Sequence, residues 1–298
     1  MENFSEVAVI GAGIMGRGIA QLCAQSGFSV YLVDLDDEIL SQGIGEIQSA
    51  IQRMTDKGKI SSEEAGKVLK RIKGVTDLDA AAADADLVIE AVPENMELKS
   101  RLFRDIDKIC RPNVILATNT SSLSIAQIAR ATGPPDKVIG LHFFYPVPVI
   151  EGVEVIPSLL TSEETVSSTM NFVKTIGKEP LISRDFPGFI VNRLLPALIN
   201  EAFNLLWQGI APAEEIDKAC TLTLRHPVGP LAMADLIGLD TVLSVLEYLH
   251  GELGEKYRPS PLLKQLVKAG HYGRKSGKGV YGYESTIRNK SAKTDTVV

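Results

Sequence analysis

Two side chains have the types and the spacing that proton transfer requires. His142 ends an apolar run that starts at residue 138, and Glu154 lies twelve residues later within a second apolar run, 153–156. A carboxylate inside a buried strand is costly unless it is paired, and His142 is its natural partner. Such a carboxylate fixes the imidazole tautomer and stabilises the imidazolium, which makes His142 a general base for an alcohol or a general acid for a carbonyl. The alternative is an ordinary core histidine.

A glycine-rich turn forms a second candidate site. Gly11, Gly13 and Gly16 match the pattern GxGxxG directly after the apolar run 7–10, and Asp34 follows 18 residues after the last glycine. In this context the first glycine permits a tight turn, the second lets the backbone approach a pyrophosphate, and the third allows close packing of helix and strand. Asp34 suits a ribose 2′-hydroxyl and would repel a 2′-phosphate. The pattern therefore predicts NAD rather than NADP, and the alternative is a glycine turn without a ligand.

The elements that must position these residues are those of an α/β domain with a doubly wound, Rossmann-type parallel sheet. Buried parallel strands are near-continuous runs of Val, Ile and Leu, and a ligand of such a sheet lies at the carboxyl ends of the strands. Strands are predicted at 7–10, 30–33, 86–92, 114–118, 138–144 and 153–156, with helices at 15–26, 95–110 and 162–176 between them. His142 and Asp34 both fall near the end of a predicted strand.

Two segments depart from this alternation. The charged stretch 37–73 predicts an antiparallel helix pair that projects from the sheet, broken near 56–59, with Ser61 and Glu64 as a capping box for its second half. Beyond Pro187 the pattern becomes helical, which predicts a dinucleotide-binding domain at 1–187, an all-α domain at 188–284 and a flexible tail at 285–298. The second domain is predicted to contain helices at 192–209, 212–223, 231–251 and 261–269 and a closing strand at 277–283.

Composition narrows the class of protein. The chain has 298 residues, with 31 basic and 37 acidic side chains and a net charge of -6, so the broad positive field of a nucleic-acid binder is not expected. No apolar run reaches the ~18 residues that a membrane span requires, and the polar start predicts no signal or transit peptide. Three scattered cysteines without a CxxC pair indicate reduced thiols in a cytoplasmic protein. No metal site is predicted.

Several motifs together resemble the 3-hydroxyacyl-CoA dehydrogenase family, most closely its short bacterial 3-hydroxybutyryl-CoA dehydrogenases. The resemblance runs from residue 7 to about residue 283. Besides the glycine turn, the matching segments are 86–91, 118–122, 140–148, 187–193, 226–230, 238–240 and 273–279. The resemblance implies an NAD-dependent enzyme that interconverts L-3-hydroxyacyl-CoA, short chains above all, and 3-oxoacyl-CoA. It also implies an acyl-CoA partner and a homodimer formed through the helical domain.

The resemblance also implies roles for individual residues. His142 would be the catalytic base and Glu154 its partner, while Ser121 would hydrogen-bond the substrate oxygen and Asn192 would orient the substrate. From the residues alone, Ser121 could instead cap a short helix that begins near Ser124, and Asn192 could satisfy the turn between the domains.

Five charged residues match further ligand contacts of the family. Glu94, Lys99 and Lys275 would contact the cofactor, and Arg53 and Lys57 in the helical insertion would meet the CoA phosphates, for which charge-assisted hydrogen bonds are suited. Without the resemblance, Glu94, Lys99 and Lys275 would each be interpreted as a solvated surface charge, and Arg53 and Lys57 as part of a charged helix end.

Three residues depart from the family pattern. Tyr145 replaces an Asn that lies by the nicotinamide, Glu151 replaces a frequent Lys, and Gly152 loosens the same turn. These changes leave two alternatives open beside the standard substrate. One keeps the chemistry and acts on a non-standard, carrier-bound or free 3-hydroxy acid. The other is a non-catalytic dinucleotide-binding or structural protein.

Overall fold

The computed structural model describes residues 4–283. It divides into two compact units, Met1–Phe189 and Ile190–Val298. The flexible tail predicted at 285–298 lies outside the described residues. No helix among residues 4–283 is long and apolar enough to cross a membrane.

The N-terminal unit is built on one eight-stranded sheet in the order β3-β2-β1-β4-β5-β6-β7-β8. Every neighbouring pair is parallel except β6 and β7. The strands are β1 (Glu6–Ile10), β2 (Ser29–Val33), β3 (Ile72–Val75), β4 (Leu87–Glu90), β5 (Ile115–Thr118), β6 (Val138–His142), β7 (Gly152–Ile156) and β8 (Glu179–Ile182). The doubly wound class predicted from the sequence is therefore confirmed.

Helices connect the strands and cover both faces of the sheet. Val7 and Val9 of β1 belong to one apolar core and Ala8 and Ile10 to another, because successive side chains of a strand point to opposite faces. The helices are α1 (Ile14–Gln25), α2 (Asp37–Asp56), α3 (Ser62–Lys70), α4 (Leu78–Ala82), α5 (Met96–Ile109), α6 (Ile125–Ala129) and α7 (Glu163–Thr175). Burial on both faces explains the near-continuous apolar composition of the central strands.

The sheet differs from the prediction in two ways: one strand runs antiparallel, and two strands were not predicted. β7 runs antiparallel to β6, because residues 143–151 between them contain no helix and a parallel pair needs a crossover of a dozen or more residues. β3 and β8 were not predicted as strands. They are the two edges of the sheet and carry a lysine and a proline, which edge strands tolerate better than central strands do.

The predicted helix pair is present as α2 and α3. The Asp36 carboxylate accepts hydrogen bonds from two backbone N–H groups of α2, and the Ser61 hydroxyl accepts one from the backbone N–H of Glu64, as the capping signature predicts. The pair does not simply project from the sheet. Apolar residues of both helices, among them Ile47 and Val68, are buried in the core that covers the first face.

The C-terminal unit is helical and has its own apolar core. Its helices are α8 (Val191–Trp207), α9 (Ala213–Leu222), α10 (Pro230–Ile237), α11 (Leu239–Leu253) and α12 (Pro261–Lys268). The single helix predicted at 231–251 is two helices, because Gly238 between them has a φ of 107°.

The closing strand predicted at 277–283 is absent from the described residues. Only isolated bridges join Lys278 to Gly273 and Gly282. The backbone N–H groups of Val280 and Tyr281 donate to the carboxylate of Asp235 instead of to a neighbouring strand, so this segment is held as an irregular turn.

Candidate active site

The register between β6 and β7 places the two proton-transfer candidates side by side. His142 and Glu154 are directly opposed in the antiparallel pair, so both side chains lie on the same face. The His142 Nδ1 atom is 2.7 Å from Glu154 Oε2. The histidine side chain is 7% exposed and the glutamate side chain 0%. A carboxylate at this distance favours the tautomer with the ring proton on Nδ1 and the lone pair on Nε2.

Aromatic rings complete the surroundings of the histidine. The ring centroid of Phe144 lies 4.3 Å from that of His142, and the centroid of Phe189 lies 6.0 Å away. Phe189 is buried and is the last residue of the N-terminal unit. The apolar walls strengthen the electrostatic interaction between His142 and Glu154, because they keep water away from the pair.

The three glycines of the turn occupy three different environments. A Cβ on Gly11 would lie 2.7 Å from the carbonyl oxygen of Ala91, and a Cβ on Gly16 would lie 1.7 Å from the carbonyl oxygen of Gly11. A Cβ on Gly13 would meet no atom of the protein within 4 Å. Gly11 and Gly16 are therefore required by packing, whereas Gly13 faces open space at the start of α1. This is the arrangement that a pyrophosphate at a helix N-terminus needs.

Asp34 connects the end of β2 to the glycine turn. Its carboxylate accepts hydrogen bonds from the backbone N–H of Ala12 at 2.8 Å and of Asp36 at 3.2 Å. These bonds orient an acceptor group beside the turn, where a ribose hydroxyl of a dinucleotide would be recognised. The residues present therefore fit NAD.

Lys99 is not the solvated surface charge that its sequence context suggests. Its side chain is 1% exposed, and its ammonium lies 2.6 Å from Glu90 Oε1 and 3.4 Å from Glu94 Oε2. Burial raises the pKa of the Glu90 carboxyl, and the charge of Lys99 offsets this only in part. Burial would also raise the pKa of Glu94, but hydrogen bonding from Thr120 and the charge of Lys99 outweigh it and leave that pKa below its ordinary value.

Ser121 is held by Glu94 and does not cap a helix. Both its backbone N–H and its hydroxyl donate to Glu94 Oε1, at 3.0 and 3.3 Å. The cap of α6 is Ser124, whose hydroxyl accepts from the backbone N–H of Gln127. The capping alternative for Ser121 is therefore wrong. The turn that carries Ser121 follows the carboxyl end of β5.

Asn119 is a positioning residue that sequence reasoning missed. Its side-chain oxygen accepts a hydrogen bond of 2.8 Å from the backbone N–H of Phe143, so it ties the end of β5 to the residue after His142. Glu90 was missed as well, although it presented the same signal as Glu154, a carboxylate in an apolar strand.

The loop between β6 and β7 carries two of the three departures from the family pattern, Tyr145 and Glu151, and the third, Gly152, is the first residue of β7. Tyr145 is 70% exposed. The buried Lys178 donates to the backbone carbonyls of Pro148 and Ile150 at 3.1 and 2.7 Å, and so ties the loop to the start of β8. Burial lowers the pKa of Lys178, and the nearby charge of Glu151 opposes this shift. The acidic residue at 151 is therefore a favourable neighbour of this lysine.

Two of the remaining predicted site residues belong to the N-terminal unit and two to the C-terminal unit. Arg53 is in the last turn of α2 and Lys57 ends that helix, and both are exposed. Within the C-terminal unit, Asn192 lies in the first turn of α8, and the ammonium of Lys275 is 2.6 Å from the carboxylate of Asp240. Among residues 4–283 no group of three or more His, Cys, Asp or Glu side chains is arranged to hold a metal ion.

Comparisons with known proteins show which family the chain resembles over nearly its whole length. Residues 6–186 match the family model described as "3-hydroxyacyl-CoA dehydrogenase, NAD binding domain", and residues 188–283 match "3-hydroxyacyl-CoA dehydrogenase, C-terminal domain". A Bacillus subtilis protein named "Probable 3-hydroxybutyryl-CoA dehydrogenase" is 48% identical over 95% of this chain and 98% of its own length. The 3-hydroxybutyryl-CoA dehydrogenase of Bradyrhizobium diazoefficiens is 44% identical over 93% of this chain and 95% of its own. The crystal structure of (S)-3-hydroxybutyryl-CoA dehydrogenase from Ralstonia eutropha has a TM-score of 0.91 and 45% identity, with 95% of this chain and all of that chain covered.

Proposed function

Because this chain belongs to the 3-hydroxyacyl-CoA dehydrogenase family and is an NAD-dependent dehydrogenase of that class, we propose that it acts on short-chain L-3-hydroxyacyl-CoA with His142 as the proton carrier. Relatives named for 3-hydroxybutyryl-CoA support the short chain. The observation that carries the mechanism is the 2.7 Å contact between the buried His142 and Glu154.

In the direction of oxidation, Nε2 of His142 takes the proton of the substrate hydroxyl. Bound NAD supplies the hydride acceptor. Glu154 keeps the Nδ1 proton in place and stabilises the positive charge that the ring acquires. In the direction of reduction the same imidazolium returns the proton to the carbonyl oxygen. One buried carboxylate therefore serves both directions.

Two polar side chains complete the proposed substrate site. On substrate binding, the Ser121 hydroxyl turns its single proton from Glu94 Oε1, 3.3 Å away, to the substrate oxygen, and Asn192 orients the substrate. Neither group has to change its protonation state, because a hydrogen-bond donor can hold a carbonyl oxygen without titrating.

Different residues are proposed to bind the cofactor and the CoA part of the substrate. Gly13 and Asp34 hold the pyrophosphate and a ribose of NAD, and Lys275 is a further cofactor contact. Arg53 and Lys57 bind the CoA phosphates, which is supported by the exposure of both side chains at the end of α2.

We also propose a cytoplasmic homodimer that does not bind nucleic acid. Exposed apolar side chains of the C-terminal unit support a partner surface there, since large exposed apolar groups mark interaction sites. They include Leu194, Trp207, Ile210, Leu222, Leu224 and Leu236. Sedimentation equilibrium of the full chain tests this proposal, and a monomer at micromolar concentration would refute it.

The test of the function follows NADH absorbance with acetoacetyl-CoA as substrate. We expect the wild type to consume NADH, and His142→Gln to turn over ~10²–10⁴-fold more slowly, as for a lost general acid or base. Binding of NADH, followed by its fluorescence, should be retained in the variant. Unchanged turnover in His142→Gln would refute the assignment of the histidine.

A second substrate class is favoured by one observation. The exposed Tyr145 replaces an Asn of the family in the loop that follows His142, and its ring is a larger and less polar surface. A free or carrier-bound 3-hydroxy acid is therefore an alternative substrate for the same chemistry. Assays with acetoacetyl-CoA, longer acyl-CoA, carrier-protein thioesters and free acids separate these candidates by kcat/KM. NADH binding without turnover on any of them would favour a non-catalytic protein.

A further inference from the structure

We propose that Phe189 is a positioning residue of the reaction and that its buried ring sets the orientation of the His142 imidazole. The inference deepens the proposed function, because it rests on His142 as the proton carrier. It is carried by the turn at residues 186–189, whose last residue combines a left-handed backbone with a contact to the histidine.

The hydrogen bond to Glu154 fixes one atom of the imidazole and leaves the plane of the ring incompletely defined. The χ2 torsion of a histidine is broad, and a hydrogen bond weakens steeply only below about 120°, so the ring could rock about Nδ1 and displace Nε2. The ring of Phe189 opposes this motion. Its centroid lies 6.0 Å from that of His142, and the two planes are inclined by 60°. Phe144 also contacts the imidazole but is only partly buried, whereas Phe189 is 5% exposed.

Strand alternation places the histidine on the face of the sheet whose core contains Phe189. His142 and Val138 of β6 are four residues apart and point to the same face, and Val138 and Phe189 belong to the same apolar core. A Cβ on Gly140 would lie 2.8 Å from Ile125 Cδ1, so α6 packs on the strand position between them. Phe189 is therefore densely surrounded, and its ring has little freedom to move away from the imidazole.

The backbone of Phe189 is held in a conformation that a bulky residue rarely adopts. Its φ is 45°, and that of the preceding Gly188 is 76°. The backbone N–H of Phe189 donates to the carbonyl of Phe186 at 3.0 Å and closes the turn. A positive φ at a side chain of this size is strained and persists only where the surrounding structure enforces it, and such residues concentrate at functional sites. The strained residue here is the one whose ring contacts the proton carrier.

Asp185 fastens the start of the turn to α6. One oxygen of its carboxylate accepts from the backbone N–H of Ile125 at 3.1 Å. The other accepts from the backbone N–H of Ala126 at 2.8 Å and from the Ser124 hydroxyl at 3.1 Å. These bonds fix the turn at one end, and the burial of Phe189 fixes it at the other. Asp185 therefore defines where the turn begins, and with it where the ring of Phe189 lies.

The test replaces the ring by an aliphatic side chain that still fills much of the site. In Phe189→Leu we expect kcat with acetoacetyl-CoA to fall by up to ~10²-fold, since a misplacement of about 1 Å can cost this much. The second readout is the nitrogen NMR spectrum of the histidine-labelled, ligand-free protein at a pH where the ring is neutral. The chain has four histidines, and His142→Gln identifies the signals of His142. They should show one tautomer, protonated at Nδ1, in the wild type and a mixture of tautomers in Phe189→Leu.

Phe172→Leu is the matched control. Phe172 is 1% exposed and contacts Phe4 and Phe28 in the core on the other face of the sheet. The substitution should lower Tm, as the loss of a buried ring does, and leave kcat and the spectrum of His142 unchanged. This comparison separates the positioning of His142 from a general loss of packing.

Asp185→Ala perturbs the same turn from its far end without opening the core, so it tests the proposal even if Phe189→Leu does not fold. We expect a smaller fall in kcat and a smaller shift toward mixed tautomers. Combined with Phe189→Leu it should add little, because residues that act through one another are not additive. Fully additive losses would overturn the role of Asp185.

The proposal requires both readouts to change together. Wild-type tautomers of His142 in Phe189→Leu and Asp185→Ala would overturn it, and so would mixed tautomers with the kcat of the wild type. A lower kcat with unchanged tautomers would assign Phe189 a structural role only. Should the proposed function itself fail, the wild type would not consume NADH, and the NMR comparison would still decide whether Phe189 orients the imidazole.

Discussion

Replacing Glu154 with glutamine removes the charge beside His142 and keeps the size of the side chain. The carboxylate lies 2.7 Å from Nδ1, and neither side chain is more than 7% exposed. The amide carries no charge to stabilise the imidazolium. Its NH₂ group can also donate to Nδ1, which would put the ring proton on Nε2 and block proton abstraction there.

The size of the effect follows from this distance and burial. Two opposite charges with centres about 4 Å apart attract each other by about 4 kcal/mol at an effective dielectric constant of about 20. Because each ~1.4 kcal/mol corresponds to a tenfold change in rate, complete loss of this attraction would slow the reaction ~10³-fold. The neutral amide retains a hydrogen bond, so we expect kcat to fall ~10²–10³-fold in Glu154→Gln.

The assay is NADH consumption at saturating acetoacetyl-CoA, with NADH binding measured separately. Glu179→Gln is the matched control, since Glu179 is an exposed carboxylate on the edge strand β8. We expect the control to keep the wild-type kcat and both variants to keep NADH affinity. A Glu154→Gln enzyme with wild-type kcat would show that the carboxylate does not support the charge on His142, and the proposed mechanism would then be wrong.

Three further predictions concern the cofactor turn, the Glu94 carboxylate and the thiols. Gly13→Ala should weaken NADH binding and leave Tm unchanged, whereas Gly16→Ala should lower Tm, because only the second methyl group would collide with a backbone carbonyl, at 1.7 Å. A Gly16→Ala variant with the Tm of the wild type would contradict the close packing of Gly16 against the carbonyl oxygen of Gly11. Glu94 has a pKa below its ordinary 4.5, so its ionised form contributes stability that is complete above that pH and is lost as the pH falls through the folded pKa. The Tm difference between wild type and Glu94→Gln should accordingly be largest near neutral pH and shrink in acid. A difference that grows in acid would mean that folding raises the pKa of Glu94 instead of lowering it. Burial raises the pKa of Cys23 to about 12, so a thiol reagent at pH 8 should label the partly exposed Cys220 first, as peptide mass spectrometry can check.

Local features of this protein were predictable from its sequence because neighbouring residues determine them. The turn from Gly11 to Gly16 follows from the conformations that glycine permits, and the Ser61 cap follows from a hydroxyl near the first free N–H groups of α3. The central strands were predictable as well, since burial on both faces demands a continuous apolar run. The carboxylate in the apolar run 153–156 required a partner, and that requirement pointed to His142.

Contacts between distant segments were decided by the tertiary structure. The edge strands β3 and β8 need no continuous apolar pattern, so only pairing with β2 and β7 makes them strands. A lysine nine residues after Glu90 has the sequence pattern of an exposed helix face, and only the approach of α5 to the end of β4 buries it against that carboxylate. Burial and charge pairing depend on which segments meet in space, whereas backbone turns and strand periodicity are determined by residues adjacent in the sequence.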